Sequence, residues 1–262
     1  MRDSVMLGTI ALEPNRWSSR TPSIDTPRWI ERAVAHGFSG VELWGPHYDK
    51  ADPATRESID GLRSSVAVYN TYLVPETGSD AAWKACAATC RRLQVRALKY
   101  NFGADESRSA EYVEVLNRVR QYFPPSVGFL CECHPGTIAE QPEQALSLLS
   151  RPGLEDIQII CHPFLIGAAK LKRWLDAFGN RVAHMHVQLR DNERAIVRLD
   201  DASPYLRSQT ETLVRNGFHG TWTIEFVHGT GTANDEPEHL FAQACSDRDV
   251  LVALLNSTGT EA

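Results

Sequence analysis

The sequence predicts an α/β chain folded as a single (β/α)8 barrel, and three observations lead there. Short apolar, β-branched runs alternate with longer segments of helical spacing from end to end. Eight such pairs can be counted, and 262 residues match the roughly 250 that eight units need. No composition shift or Pro/Gly/Ser-rich linker divides the chain, so one domain over 1–255 is expected, with 256–262 (NSTGTEA) as a disordered tail.

The expected strands, in order, are 4–10 (SVMLGTI), 40–44 (GVELW), 66–74 (VAVYNTYLV) and 95–101 (VRALKYN), then 127–132 (VGFLCE), 157–161 (IQIIC), 182–187 (VAHMHV) and 221–226 (TWTIEF). Between and after them, helical patterns fall at 27–37, 54–65, 80–94, 109–123, 142–150, 168–179, 204–217 and 236–256. Strict alternation calls for parallel strands joined by crossover helices. Eight units favour closure into a barrel over an open, doubly wound sheet. Gly37, Gly179 and Gly217 follow the last apolar position of their helices, as C-terminal capping glycines do.

Composition narrows the functional classes. Hydrophobic residues at 42% and charged residues at 23% are ordinary for a globular domain, and the net charge of −6 comes with no Lys/Arg track for nucleic acid. No 18-residue apolar run suggests a membrane span, and the N-terminus lacks a signal-peptide pattern, so a cytoplasmic protein is expected. Cys86, Cys90, Cys131, Cys133, Cys161 and Cys245 read as reduced thiols, most of them in or beside apolar elements.

In such a barrel the active site gathers at the C-terminal ends of the strands. Polar residues there are Glu42, Trp44 and His47 at and after strand two, Lys99 and Asn101 at strand four, and Glu132 and His134 at strand five. Strand six delivers His162, strand seven His184 and His186 with Arg190 beyond, and strand eight Glu225 and His228. Strands five to eight thus each bring a Glu or a His to one rim. A Glu ending an apolar strand is costly to bury unless it is paired or metal-bound. Two carboxylates and two imidazoles suit Mn²⁺, with Co²⁺, Fe²⁺ or Zn²⁺ as alternatives, rather than Ca²⁺. Singly the signals are weak: either Glu could pair with an Arg, and either His of HMH could be a satisfied core histidine. His186 is preferred over His184, which is expected one layer deeper.

These residues carry a resemblance. The pieces GFSGVELWGPH (37–47), LCECHPG (130–136), VAHMHV (182–187) and GFHGTWTIEF (217–226) resemble the xylose-isomerase-like TIM barrels, the sugar phosphate isomerase/epimerase family, over nearly the whole chain. That superfamily also holds ketose 3-epimerases, inosose dehydratases and the endonuclease IV branch. The resemblance implies one metal held by Glu132, His162, His186 and Glu225, with Glu132 and Glu225 as the catalytic acid/base pair. It further implies a carbohydrate-like substrate, contacted by Trp44, His47, Lys99, Asn101, His134, Arg190 and His228, and a homodimer or homotetramer. The chain departs from the pattern at strand six, where His162 stands at the usual Asp position and Leu165 at the usual His position. At strand seven Gln188 and Leu189 replace a Lys-Asp pair.

The implied activity is a divalent-metal-dependent isomerase or epimerase acting on a sugar, keto-polyol or related hydroxy-ketone by proton abstraction through an enediolate. Loss of a β-hydroxyl from the same enolate would instead make it a dehydratase or lyase on a cyclic keto-polyol or keto-glycoside. An endonuclease IV-like phosphodiesterase would need further His and Asp ligands, which strands three and four do not offer. A non-catalytic barrel would leave two costly glutamates unexplained.

Overall fold

The computed structural model describes residues 4–258. Eight parallel strands close into a barrel: β1 (Val5–Gly8), β2 (Val41–Trp44), β3 (Val66–Asn70), β4 (Ala97–Tyr100), β5 (Gly128–Glu132), β6 (Gln158–Cys161), β7 (Val182–Val187) and β8 (Thr221–Ile224). Each pairs with its neighbour in chain order, and β1 closes on β8 through Val5–Trp222, Met6–Thr223 and Leu7–Ile224. Every strand has two partners, so the backbone amides of the barrel have no open edge.

The outer ring comprises α1 (Thr26–Ala35), α2 (Pro53–Gly61), α3 (Asp80–Leu93), α4 (Ser109–Arg120), α5 (Pro142–Leu149), α6 (Ala168–Phe178), α7 (Ser203–Arg215) and α8 (Pro237–Thr258). Their starts are written in the sequence. Asp25 accepts the Arg28 N–H at the head of α1, and Asp52 accepts the Thr55 N–H at the head of α2, each with a Pro in the first turn. At the other end of α1, Gly37 takes φ +89°, a conformation a β-carbon would strain. The α8 helix runs through to Thr258, past the expected boundary at 255, and the rest of the expected tail, 259–262, lies outside the described residues.

Two layers fill the barrel. Met6, Ala67, Val68, Leu130 and Ile160 make a small apolar cluster at its N-terminal end. Above it the interior turns polar, with Glu42, Lys99, Glu132, His184, His186, Thr223 and Glu225 all buried. The larger apolar core lies between the strands and the helix ring, where Trp83, Leu98, Leu116 and Trp222 are wholly or almost wholly buried.

Several strands are shorter than their apolar runs. Expected residues 4–10 reduce to Val5–Gly8 followed by the 3-10 turn Thr9–Leu12, and 66–74 reduce to Val66–Asn70. Thr9–Leu12 is itself buried, so apolar character outlasts the ladder there, whereas beyond β3 Thr71 is buried and Tyr72 exposed. An antiparallel hairpin, Leu189–Arg190 with Ile196–Val197, follows β7 where only a loop was expected. Among the described residues no helix is long and apolar enough to cross a membrane.

Candidate metal centre and active site

Strand alternation explains how the site assembles. His184 and His186 are two residues apart on β7 and therefore share the inner face, with His186 opposite Thr223 and His184 one step deeper opposite Thr221. Glu132 ends β5, His162 follows β6, and Glu225 follows β8, so all four side chains reach one depth of the barrel.

The donor atoms converge tightly. His186 Nδ1 lies 3.2 Å from Glu132 Oε1 and 3.3 Å from Glu225 Oε1. His162 Nε2 lies 3.4 Å from both Glu132 Oε1 and Glu225 Oε2. Tetrahedral ligands about 2.1 Å from a cation are separated by about 3.4 Å along each edge, so this spacing suits a first-row divalent ion. All four residues are buried.

Charge balance points the same way. Glu42, Glu132 and Glu225 are buried carboxylates and Lys99 is the buried ammonium among them, leaving two uncompensated negative charges when the histidines are neutral. One divalent cation, or two imidazolium protons, would neutralise the set. Burial opposes ionisation of Glu132, but the Lys99 ammonium and hydrogen bonds from His162 and His186 hold its carboxyl well below the ordinary range. Burial likewise opposes ionisation of Glu225, yet His186 and His162 bring it down to about 2. His186 is pushed down by burial and, more strongly, up by Glu42, Glu225 and Glu132, so it ends well above an ordinary imidazole.

A supporting shell fixes each member. His186 Nε2 is 3.1 Å from Glu42 Oε2, and Asn70 Nδ2 donates to Glu42 Oε1 at 2.6 Å. Lys99 Nζ and Asn101 Nδ2 both reach Glu132 Oε2, at 2.7 and 2.8 Å. Gln188 donates to Glu225 Oε2 at 2.7 Å and accepts from Arg190 Nε at 3.1 Å. His184 Nδ1 meets Thr221 Oγ1 at 2.6 Å, while its Nε2 stands 3.4 Å from Glu42 Oε2 without hydrogen-bond geometry. Glu42, His184 and His186 thereby form a second close-set group of potential ligands that shares His186 with the first.

Other expected contacts are dispersed. His134 and Arg190 line the cavity above the cluster, as do His162 and Glu225. Lys99 and Asn101 instead face Glu132 from within the wall. Trp44 is buried and donates from Nε1 to the Tyr72 hydroxyl at 3.0 Å. His47 is wholly buried between Thr9 Oγ1 at 2.9 Å and Glu13 Oε2 at 3.1 Å, and is not among the cavity residues. The half-buried His228 is also absent from the cavity lining and packs near His239.

Sequence reasoning placed Glu42 at the end of strand two without giving it a role, and it overlooked Asn70, Trp17 and the hairpin after β7. Glu42 sits within the apolar run VELW, and the burial-cost argument applied to Glu132 would have singled it out. Trp17 lies in an irregular stretch that no periodicity marks.

Comparison with known proteins places the fold. No protein-family model matches the chain, and no curated protein matches it by sequence. Among solved structures, a xylose isomerase-like TIM barrel protein from Mycobacterium smegmatis in complex with magnesium aligns over 98% of this chain and 97% of its own, with TM-score 0.68 and 8% identity. A 3-keto-D-glucoside 4-epimerase from E. coli aligns over 96% and 98%, at TM-score 0.64 and 12% identity. Endonuclease IV from Thermus thermophilus aligns over 95% and 98%, at 0.62 and 15%. The chain therefore has the xylose-isomerase-like TIM-barrel fold, which serves more than one chemistry.

Proposed function

We propose that this protein is a divalent-metal-dependent isomerase or epimerase acting on a sugar, keto-polyol or related hydroxy-ketone. The observation that carries the reading is the buried Glu132–His162–His186–Glu225 set, spaced as ligands and opening through His162 and Glu225 onto a cavity. The fold neighbours lend support, since one is described with magnesium and another is a keto-sugar epimerase. Mn²⁺ suits the mixed N/O donors best.

A bound divalent ion would polarise adjacent carbonyl and hydroxyl oxygens and so acidify the intervening C–H. The remaining steps fall to the chain's own residues. Glu225 faces the cavity, and Gln188 orients its Oε2, so Glu225 removes the proton. Glu132 serves the opposite face, where Lys99 Nζ at 2.7 Å holds its Oε2 in place, and the proton is returned by Glu132 or by Glu225 itself. Return to the same carbon from the other face gives epimerisation, and return to its neighbour gives isomerisation.

The test is incubation of Mn²⁺-loaded protein with ketoses, inososes and keto-glycosides in D₂O. Deuterium should enter at the carbon beside the carbonyl, and Glu225→Gln should slow that exchange by about 10²–10⁴-fold. Loss of water or of an aglycone from the exchanged carbon skeleton would move the assignment to a lyase. Absence of exchange with every compound would refute the reading.

A further inference from the structure

Above the ligand cluster lies a cavity of about 1080 Å³. Pockets for drug-sized ligands span roughly 300–1,000 Å³, so this one has room far beyond a single sugar ring. His162, Gln188 and Glu225 mark the end beside the ligand cluster, and the rest of the lining mixes apolar side chains such as Phe164, Ile166 and Trp174 with charged ones.

Five large hydrophobic side chains are exposed among the described residues, and three of them, Trp17, Leu165 and Tyr205, line this cavity, at 58%, 38% and 37% exposure. The cavity involves 25 of 262 residues, so an indifferent scatter would put less than one there. These side chains are also held in place. Trp17 leans on Phe226 with ring centroids 5.4 Å apart, and a β-carbon at Gly231 would come within 3.2 Å of its ring. Tyr205 donates to the Ile166 carbonyl at 2.8 Å, tying α7 to the loop that carries Leu165. Rigid, unburied aromatic and aliphatic groups facing one void form a platform for an apolar ring.

The charges lining the cavity argue against a phosphorylated ligand. Lys170, Arg190 and Arg194 are outnumbered by Glu140, Asp191, Asp201 and Glu225, which leaves no positive field selecting an anion.

We infer that the hydroxy-ketone is taken as a glycoside, with the keto-sugar seated at His162 and Glu225 and an aromatic aglycone lying against Trp17, Leu165 and Tyr205. This rests on the function proposed above and specifies its substrate class. Part of the binding surface then serves a portion of the substrate remote from the reacting carbon, which holds that carbon in place.

The experiment compares 4-nitrophenyl and methyl glycosides of the same 3-keto-hexose on the Mn²⁺-loaded protein. Affinity is read by calorimetry and proton exchange by mass spectrometry in D₂O. The aryl compound should bind at least about tenfold tighter, and Trp17→Ala and Leu165→Ser should each bring the aryl-to-methyl ratio toward one. Equal affinities, or an aryl preference that survives both substitutions, would overturn the inference. So would light scattering that shows a dimer dissociated by Trp17→Asp, since the patch would then be a subunit contact. Aryl preference without deuterium uptake leaves the subsite standing and removes the proton-abstraction reading; uptake without aryl preference removes the subsite alone.

Discussion

Glu42 Oε2 stands 3.1 Å from His186 Nε2, while His186 Nδ1 faces Glu132 and Glu225 on the opposite side of the ring. A carboxylate that accepts the Nε2–H fixes the tautomer in which Nδ1 presents its lone pair to the ligand cluster. Asn70, donating to Glu42 Oε1, holds the carboxylate in that posture. Glu42→Gln can present its amide nitrogen where an acceptor is needed. Mn²⁺ affinity should fall about 10–100-fold in a chelator competition with circular dichroism unchanged; unaltered affinity would show that His186 is oriented without Glu42.

Lys99 and Glu132 form a buried ion pair, and burial weakens the ammonium less than Glu132 strengthens it, so Lys99 holds its proton above the ordinary range. Lys99→Met strands the Glu132 carboxylate in the barrel. Without metal the loss should be about 3–5 kcal/mol, or on the order of 10 °C in Tm for a chain of this length. An added cation supplies the missing positive charge. The Tm increase on going from EDTA to Mn²⁺ should therefore be larger in Lys99→Met than in the wild type. Equal increases would detach Lys99 from the cluster's charge balance.

His162 contributes a neutral nitrogen where a carboxylate would make the cluster one charge more negative. His162→Asp should shift preference from Zn²⁺ toward the harder Mg²⁺ and Mn²⁺ by roughly tenfold, because oxygen donors and added anionic charge favour hard ions. Paired competition titrations read the ratio. A variant that keeps the wild-type order of affinities would mean His162 does not contact the ion.

Asp247 on α8 is 3% exposed and accepts the Leu199 N–H at 3.1 Å. Burial raises its carboxyl to about 7, against the pull of that N–H and of Arg198. The folded chain therefore holds a proton that the unfolded chain, near 3.9, has already released. The stability tied to this group is complete below pH 4 and lost as pH rises through 7, up to roughly 4 kcal/mol for about three units at 1.36 kcal/mol each. Asp247→Asn keeps an oxygen for Leu199 and cannot ionise, so urea unfolding at pH 5 and pH 8 should show a flatter profile and a more stable protein at pH 8. A profile parallel to the wild type would locate the pH dependence elsewhere.

Much of this architecture was legible in the chain itself. The eight alternating units announce the barrel because each strand and helix must show its own apolar period to pack. Glu132 and Glu225 stand out because ionised groups ending apolar strands violate the cost of burial. What escaped was pairing across the barrel. Lys99 and Asn101 read as substrate contacts through the family resemblance; both reach Glu132, and His47 packs against Glu13 beneath the surface. Local sequence shows which face a residue takes, whereas its partner is chosen by strands some thirty or more positions away. The hairpin after β7 was hidden for another reason: Leu189–Arg190 and Ile196–Val197 are too short to display a period.

The β1–β8 closure also sets an order in time. Glu132, His162 and His186 leave the ribosome well before Glu225, and β8 can dock only against the β1 made before all the other strands of the barrel. At about 5–20 residues per second, a growing chain spends seconds with three donors emerged and no barrel to gather them. Arg16 then fastens the two distant loops, binding the Ile10 and Ala11 carbonyls and both oxygens of Asp235. Any ion held by these four residues would thus be gathered only once β8 has been made and has docked on β1, not by the first three donors alone.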